Sequence, residues 1–163
     1  TRPIGTFPIV GIAATDGFCS VYISKYLMNR EVGFGRRLLQ IFEDEGISFE
    51  HTPSGIDNMS VIVRESTFNK AAEERVLRRV RTELAVDEVT VERDLALVMV
   101  VGEGMNHTIG LAGLACTAFA EAGVNLEMIN QGSSEVSMMF GIKANDIPSS
   151  VRALYNQFFG SSA

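Results

Sequence analysis

The groups in this chain best placed to do chemistry are two glycines ahead of helices, Gly33 and Gly110, and the acidic residues that follow them, Glu50 and Glu127. A loop ending in glycine leaves the first N–H groups of a helix open, lets a ligand approach closely, and adds the positive end of the helix dipole. Such an end suits a carboxylate or a phosphate. The strand after each helix carries Ser48 and Glu50 in one case, Asn125 and Glu127 in the other. A carboxylate beside an anion-binding helix end is the complementary pair a zwitterionic amino acid needs. Its ammonium would meet Glu50 and its carboxylate the N–H groups around Gly33. A tight turn and a solvated glutamate are the plain alternatives.

Nothing else reads as a reactive constellation. His51 falls in an expected strand, and His107 precedes Thr108 at a helix start, where local capping is the better reading than proton transfer. The two histidines occupy different repeat positions and have no metal-ligand spacing. There is no G-x-S-x-G, no phosphate loop of the GxxxxGK type and no GxGxxG. Gly33-Phe34-Gly35 and Gly102-Glu103-Gly104 are too short for nucleotide loops, and Ser133-Ser134-Glu135 reads as turn chemistry. No catalytic residue, metal or cofactor is expected.

Composition narrows the class. The chain has 163 residues, 46% hydrophobic and 21% charged, with net charge -6. Its pI is about 4.9 and its mean hydropathy +0.16, the profile of a soluble globular protein. The basic run Arg75, Arg78, Arg79, Arg81 is interleaved with Glu73, Glu74 and Glu83, a solvated helix face rather than a nucleic-acid patch. Neither a signal peptide nor a transmembrane run is present, so no membrane partner is expected. Two cysteines, Cys19 and Cys116, lie in no CxxC, which points to a reducing, cytoplasmic setting. Cys116, in an apolar run, reads as a buried free thiol. The chain opens on Thr1 without Met, which leads us to expect a fragment or a processed product.

The elements that must position these groups are written twice. Met28-Asn29 recurs as Met105-Asn106, Gly33 as Gly110, Phe42 as Phe119, Gly46 as Gly123 and Glu50 as Glu127, 77 residues on. Gly55 with Gly132 and Ser60 with Ser137 keep the same offset, so the repeat reads as ungapped. Units of roughly 70–80 residues are small domains rather than solenoid turns. In the first copy we expect strands at 18–23, 47–52, 59–64 and 87–92, with Phe18, Ser20 and Tyr22 on one face, and helices from 33 to about 45 and from 69 to about 84. This βαββαβ order is the ferredoxin-like plan. The second copy has strands at 95–101, 124–130 and 136–142 and helices at 108–122 and 148–159, then ends one strand short. An apolar strand at 8–14 precedes the first copy with no role there, and an unfilled slot would leave a sheet edge unpaired. The economical arrangement is an α+β pair with one domain (16–93) inserted in the other (8–15 plus 94–163), the N-terminal strand completing the second sheet.

The stretch from Glu127 through Gln131-Gly132-Ser133-Ser134-Glu135 to Ser137 resembles a signature in the C-terminal regulatory region of aspartokinases (aspartate kinases). Residues Leu27 to Phe34, with His51-Thr52-Pro53-Ser54-Gly55-Ile56-Asp57, are similar to the monofunctional, lysine-responsive type of Gram-positive bacteria. The resemblance covers essentially the whole chain and implies tandem ACT domains, one inserted in the other. It implies feedback regulation by lysine, with threonine as a further effector, at a homodimer interface. The parent would carry a kinase domain that uses ATP and Mg to phosphorylate aspartate, and this region would not be an enzyme. For the effector site it implies Met28, Glu31, Gly33, Phe34, Gly35, Ser48, Phe49, Glu50, Ser54 and Gly55. A second site would use Asn106, His107, Thr108, Ile109, Gly110, Leu111, Asn125, Leu126, Met128, Ile129 and Asn130. A ligand-independent oligomerisation module and a separately translated regulatory subunit are the alternatives.

Overall fold

The computed structural model describes residues 9–102, 109–131 and 137–160. Their elements run β1 (Ile9–Ser24), α1 (Phe34–Asp44), β2 (Phe49–His51), β3 (Asn58–Arg64), α2 (Lys70–Leu84), β4 (Glu88–Gly102), α3 (Leu111–Glu121), β5 (Met128–Asn130), β6 (Ser137–Lys143) and α4 (Ile147–Phe159). The chain divides into two compact units, Gly17–Leu95 and Thr1–Asp16 with Ala96–Ala163. Within the first the strands lie in the order β2-β3-β1-β4, and within the second β1-β4-β6-β5. Each is the ferredoxin-like α+β arrangement, and the leading strand serves the second unit. Ile9 sits in that unit's core, with Ile12 and Ala14 packed against it.

Apolar spacing explains the helices. Phe34, Leu38, Ile41 and Phe42 fall on one face of α1 and all are buried. Gly46, at φ 71°, turns the chain off that helix, its N–H bonding Glu43 O at 2.9 Å while Ile47 N–H bonds Phe42 O at 2.9 Å. The second unit repeats this at Gly123, φ 72°, with Val124 N–H on Phe119 O at 2.9 Å. The α2 helix is opened by Asn69, whose Oδ1 accepts Ala72 N–H at 2.8 Å. Asn69→Ala should cost about 1 kcal/mol, read as a lower urea midpoint with an unchanged m-value. On its outer face Arg79 reaches Asp44 at 2.9 Å and pairs with Glu83 one turn on, while Arg75 holds Glu45 at 2.8 Å. Hydrogen bonds from Gln40 and then Arg79 hold the Asp44 carboxyl below its usual range, and Arg79 does the same to Glu83. The contribution of these pairs is present above the ordinary carboxylate range and fades as pH falls through it.

Several expectations are corrected. The strands expected at 8–14 and 18–23 are one strand over the described part, and those at 87–92 and 95–101 are also one. Gly17 (φ 85°) and Asp94 (φ 58°) lie within these two strands despite their left-handed backbone. On β1, Phe18, Ser20 and Tyr22 share one face as expected, and the alternate positions Cys19, Val21 and Ile23 enter the core. Phe18 is buried on the other face, its ring 5.0 Å from the Arg64 guanidinium. The strands expected at 47–52 and 124–130 shrink to three residues each. The helix expected from 108 begins at Leu111, with Thr108 outside the described residues, as is Pro8.

The repeat also contains a gap. His51 of β2 pairs with Ile62, and Met128 of β5 pairs with Gly141. Thus His51 matches Met128, 77 residues on, whereas Ile62 matches Gly141, 79 residues on. The β3 and β6 bounds agree, Asn58 matching Ser137 and Arg64 matching Lys143. Counted from those paired residues, the second copy has two more residues before its next strand, eight between Met128 and Ser137 against six between His51 and Asn58. The identity Ser60/Ser137 is not a structural equivalence, and Gly132 lies outside the described residues.

The thiols trade roles. Cys19 is fully buried while Cys116 is only half-buried, because Ala115, Ala118 and Phe119 take the inward face of α3. Burial raises the Cys19 pKa from 9.0 to about 11. The folded thiol binds its proton more tightly than the unfolded one, so stability is unaffected below about pH 9 and falls as pH rises toward 11. A thiol reagent at neutral pH should label Cys116 in the native chain and Cys19 only in urea.

Candidate effector site

The first-copy site is built by the loop between β1 and α1, by β2, and by the turn between β2 and β3. Leu27 (φ 61°) starts a 3-10 turn, Met28–Arg30, and the chain reaches Gly33 in the left-handed region at φ 82°. A residue with a Cβ would be strained there, which is why glycine opens the helix. Gly110 has the same role in the second copy, at φ 86° and ψ 2° against 82° and 7°. Neither glycine has a side-chain cap; in α1 the Phe34 N–H donates to Glu31 O at 3.2 Å, and the Gly35 amide after it is left for another acceptor.

Glu31 is not free. Its carboxylate accepts Lys25 Nζ at 3.0 and 3.1 Å and lies 3.4 Å from Arg37. Lys25 also lies 5.8 Å above the Phe34 ring. Gly35 faces Met59, whose Cε would lie 3.9 Å from an added Cβ, and Met59 bridges to Ser54. The turn is tied back by Ser60 N–H on Pro53 O at 2.8 Å and by Lys25 N–H on Asp57 O at 2.9 Å. The structure thus gathers Glu31, Phe34, Gly35 and Ser54 through Lys25 and Met59. Met28 and Phe34 point into the core, at 7% and 3% exposure, which leaves their backbones to any ligand. Gly55 packs against the Asn58 side chain, 2.9 Å from where a Cβ would sit.

Just before and along β2, Ser48, Phe49 and Glu50 are exposed. The pairing slips between Phe49, opposite Val63, and His51, opposite Ile62, so Glu50 is the extra residue of a bulge. Its Oε1 accepts Arg64 Nε at 3.1 Å. A surface pair of this kind is worth roughly 0–1 kcal/mol, little enough for a competing ammonium to replace it. An open groove of about 620 Å³ runs beside these residues, lined by Arg36, Leu39, Gln40, Glu43, Ser48 and Phe49 among others.

In the second copy, Asn106, His107 and Thr108 lie outside the described residues. Of the others, Ile109 is fully exposed and Leu111 is in the core. Asn125 Nδ2 donates to Glu127 Oε1 at 3.1 Å, and Met128 lies against Gly141. Leu126 and Met128 are half-buried, and Ile129 and Asn130 are exposed on the edge strand. Sequence reasoning missed Lys25 and Arg64, the cations that hold Glu31 and Glu50. Lys25 is six residues from its partner and Arg64 fourteen, spacings that no local helical rule reaches. Among the described residues no group of three or more His, Cys, Asp or Glu could hold a metal, and no helix is long and apolar enough to cross a membrane.

A family profile described as an ACT domain matches residues 98–158. Aspartokinase 3 of Bacillus subtilis (strain 168) is 58% identical over 152 residues, covering 93% of this chain and 34% of that protein. The likeness is to an ACT-domain region of the aspartokinase type. A crystal structure of Clostridium acetobutylicum aspartate kinase matches the region with TM-score 0.88 and 36% identity, over 96% of this chain and 36% of that one. The ligand-free regulatory subunit of aspartate kinase from Thermus thermophilus matches at TM-score 0.80 and 25% identity, over 93% of this chain and 99% of the subunit. The chain spans about a third of the length of the Bacillus relative. It is matched over nearly its whole length by a chain that is a regulatory subunit.

Proposed function

We propose that this ACT region is the amino-acid sensor of an aspartate kinase, binding lysine, alone or together with threonine, to restrain the first step of the aspartate-family pathway. The observation that carries the reading is the pairing of uncapped amides behind Gly33 with an exposed carboxylate at Glu50, in one compact unit. The ligand carboxylate binds the amides of Gly33 and Gly35, on either side of Phe34, and its ammonium displaces Arg64 from Glu50. Ser48, Phe49, Ser54 and Gly55 complete the site, with Met28 contributing backbone. Glu31, already held by two cations, shapes the loop rather than meeting the ligand. Asn106 to Leu111 with Asn125 to Asn130 form a second, subsidiary site.

The site is completed by a second copy of the chain, because β2 is an edge strand with Phe49 47% exposed. The parent protein joins this region to a cytoplasmic kinase domain that carries the ATP and Mg chemistry. Lysine acts by binding one dimer arrangement better than another, and a coupling of roughly 1–3 kcal/mol gives a useful response. Calorimetry against the proteinogenic amino acids tests this. Lysine should bind below millimolar, and failure of every amino acid to do so contradicts the proposal. A firm dimer in sedimentation with no effector dependence would instead favour a ligand-independent oligomerisation module.

A further inference from the structure

We propose that Lys25 is a positioning residue, a latch that makes the loop before α1 and the connection from α2 to β4 move as one body. The inference deepens the sensor reading and rests on it for its ligand arm only. Lys25 follows β1 directly, and its side chain is 20% exposed. One ammonium makes three hydrogen bonds, to both oxygens of Glu31 at 3.0 and 3.1 Å and to Leu84 O at 2.7 Å. The first two hold the effector loop. The third satisfies a carbonyl at the end of α2, where the orphan acceptors and the negative end of the helix dipole favour a cation.

Main-chain bonds run beside the ammonium. Asp87 Oδ2 accepts Tyr26 N–H at 2.6 Å, and Asp87 N–H donates to Ser24 O at 3.0 Å. Both joined segments contain a left-handed residue other than glycine, Leu27 at φ 61° and Ala85 at φ 50°. Such conformations persist where the surroundings hold them, and the shared ammonium between the two is what holds these. A ligand seated on the loop is then felt at residues 84–88, the root of β4.

Hydrogen exchange on the 163-residue chain tests the latch. In Lys25→Met, without ligand, the amides of residues 26–31 and 84–88 should exchange roughly tenfold faster, the cost of losing charge-assisted bonds. The amides of Val61 and Val63 in β3 should keep their wild-type rates. Added lysine should slow exchange at 84–88 in the wild type and in Lys25→Arg, but not in Lys25→Met, a readout that a merely structural role would not move. Wild-type rates at 84–88 in ligand-free Lys25→Met overturn the latch, and so does equal protection by lysine in both chains. If the wild type binds no lysine, the sensor reading falls while the ligand-free rates still decide the latch. Should Lys25→Met fail to fold, Lys25→Gln, which removes the charge but retains a donor, is judged by the same rates.

Discussion

Phe119→Ala is expected to destabilise the chain by about 3–5 kcal/mol, the usual cost of emptying a packed phenylalanine site. Phe119 is 1% exposed on the inner face of α3, and its ring centroid lies 4.9 Å from that of Phe140 on β6. Removing it deletes that aromatic contact and leaves a void that Ala115, Ala118 and Val98 have no side chain long enough to fill. Its counterpart Phe42, also 1% exposed and 6.4 Å from Phe68, should behave alike in the other unit. Urea unfolding followed by circular dichroism measures both. A loss under about 1 kcal/mol for Phe119→Ala would mean that the second unit is not packed around α3 and β6.

Glu50→Ala is expected to weaken lysine binding at least tenfold, about 1.4 kcal/mol or more, while leaving the fold and its unfolding midpoint nearly unchanged. Glu50 is exposed, sits at a bulge on an edge strand, and gives up only its surface pair with Arg64. The same geometry predicts that Arg64→Met strengthens lysine binding, since the internal cation no longer competes for Glu50. Calorimetry on the two variants separates the roles. Unchanged affinity in Glu50→Ala would remove that residue from the site.

The plan of the fold was legible because both copies obey the same packing periods. Phe34, Leu38, Ile41 and Phe42 state one helix face, and the missing last strand of the second copy, set against the spare apolar segment before Gly17, announced the borrowed strand. The repeat register was legible up to Met128 and misleading after it. A chance match at Ser60/Ser137 masked two added residues that only strand pairing reveals. The candidate site was partly legible: backbone needs at Gly33 and Gly110 show as glycine, whereas the partners of Glu31 and Glu50 come from tertiary contacts. Cys116 was misjudged because an apolar run does not say which face of a helix turns inward, and α3 is apolar nearly all round.

The most direct test of the sensor reading is a lysine titration of the isotopically labelled chain, followed amide by amide by NMR. Saturable shifts should appear at Gly33, Phe34 and Gly35 and at Ser48 to Glu50, with the interior of β3 still. No saturable shift at those amides, or shifts confined to residues 109–131, would contradict it.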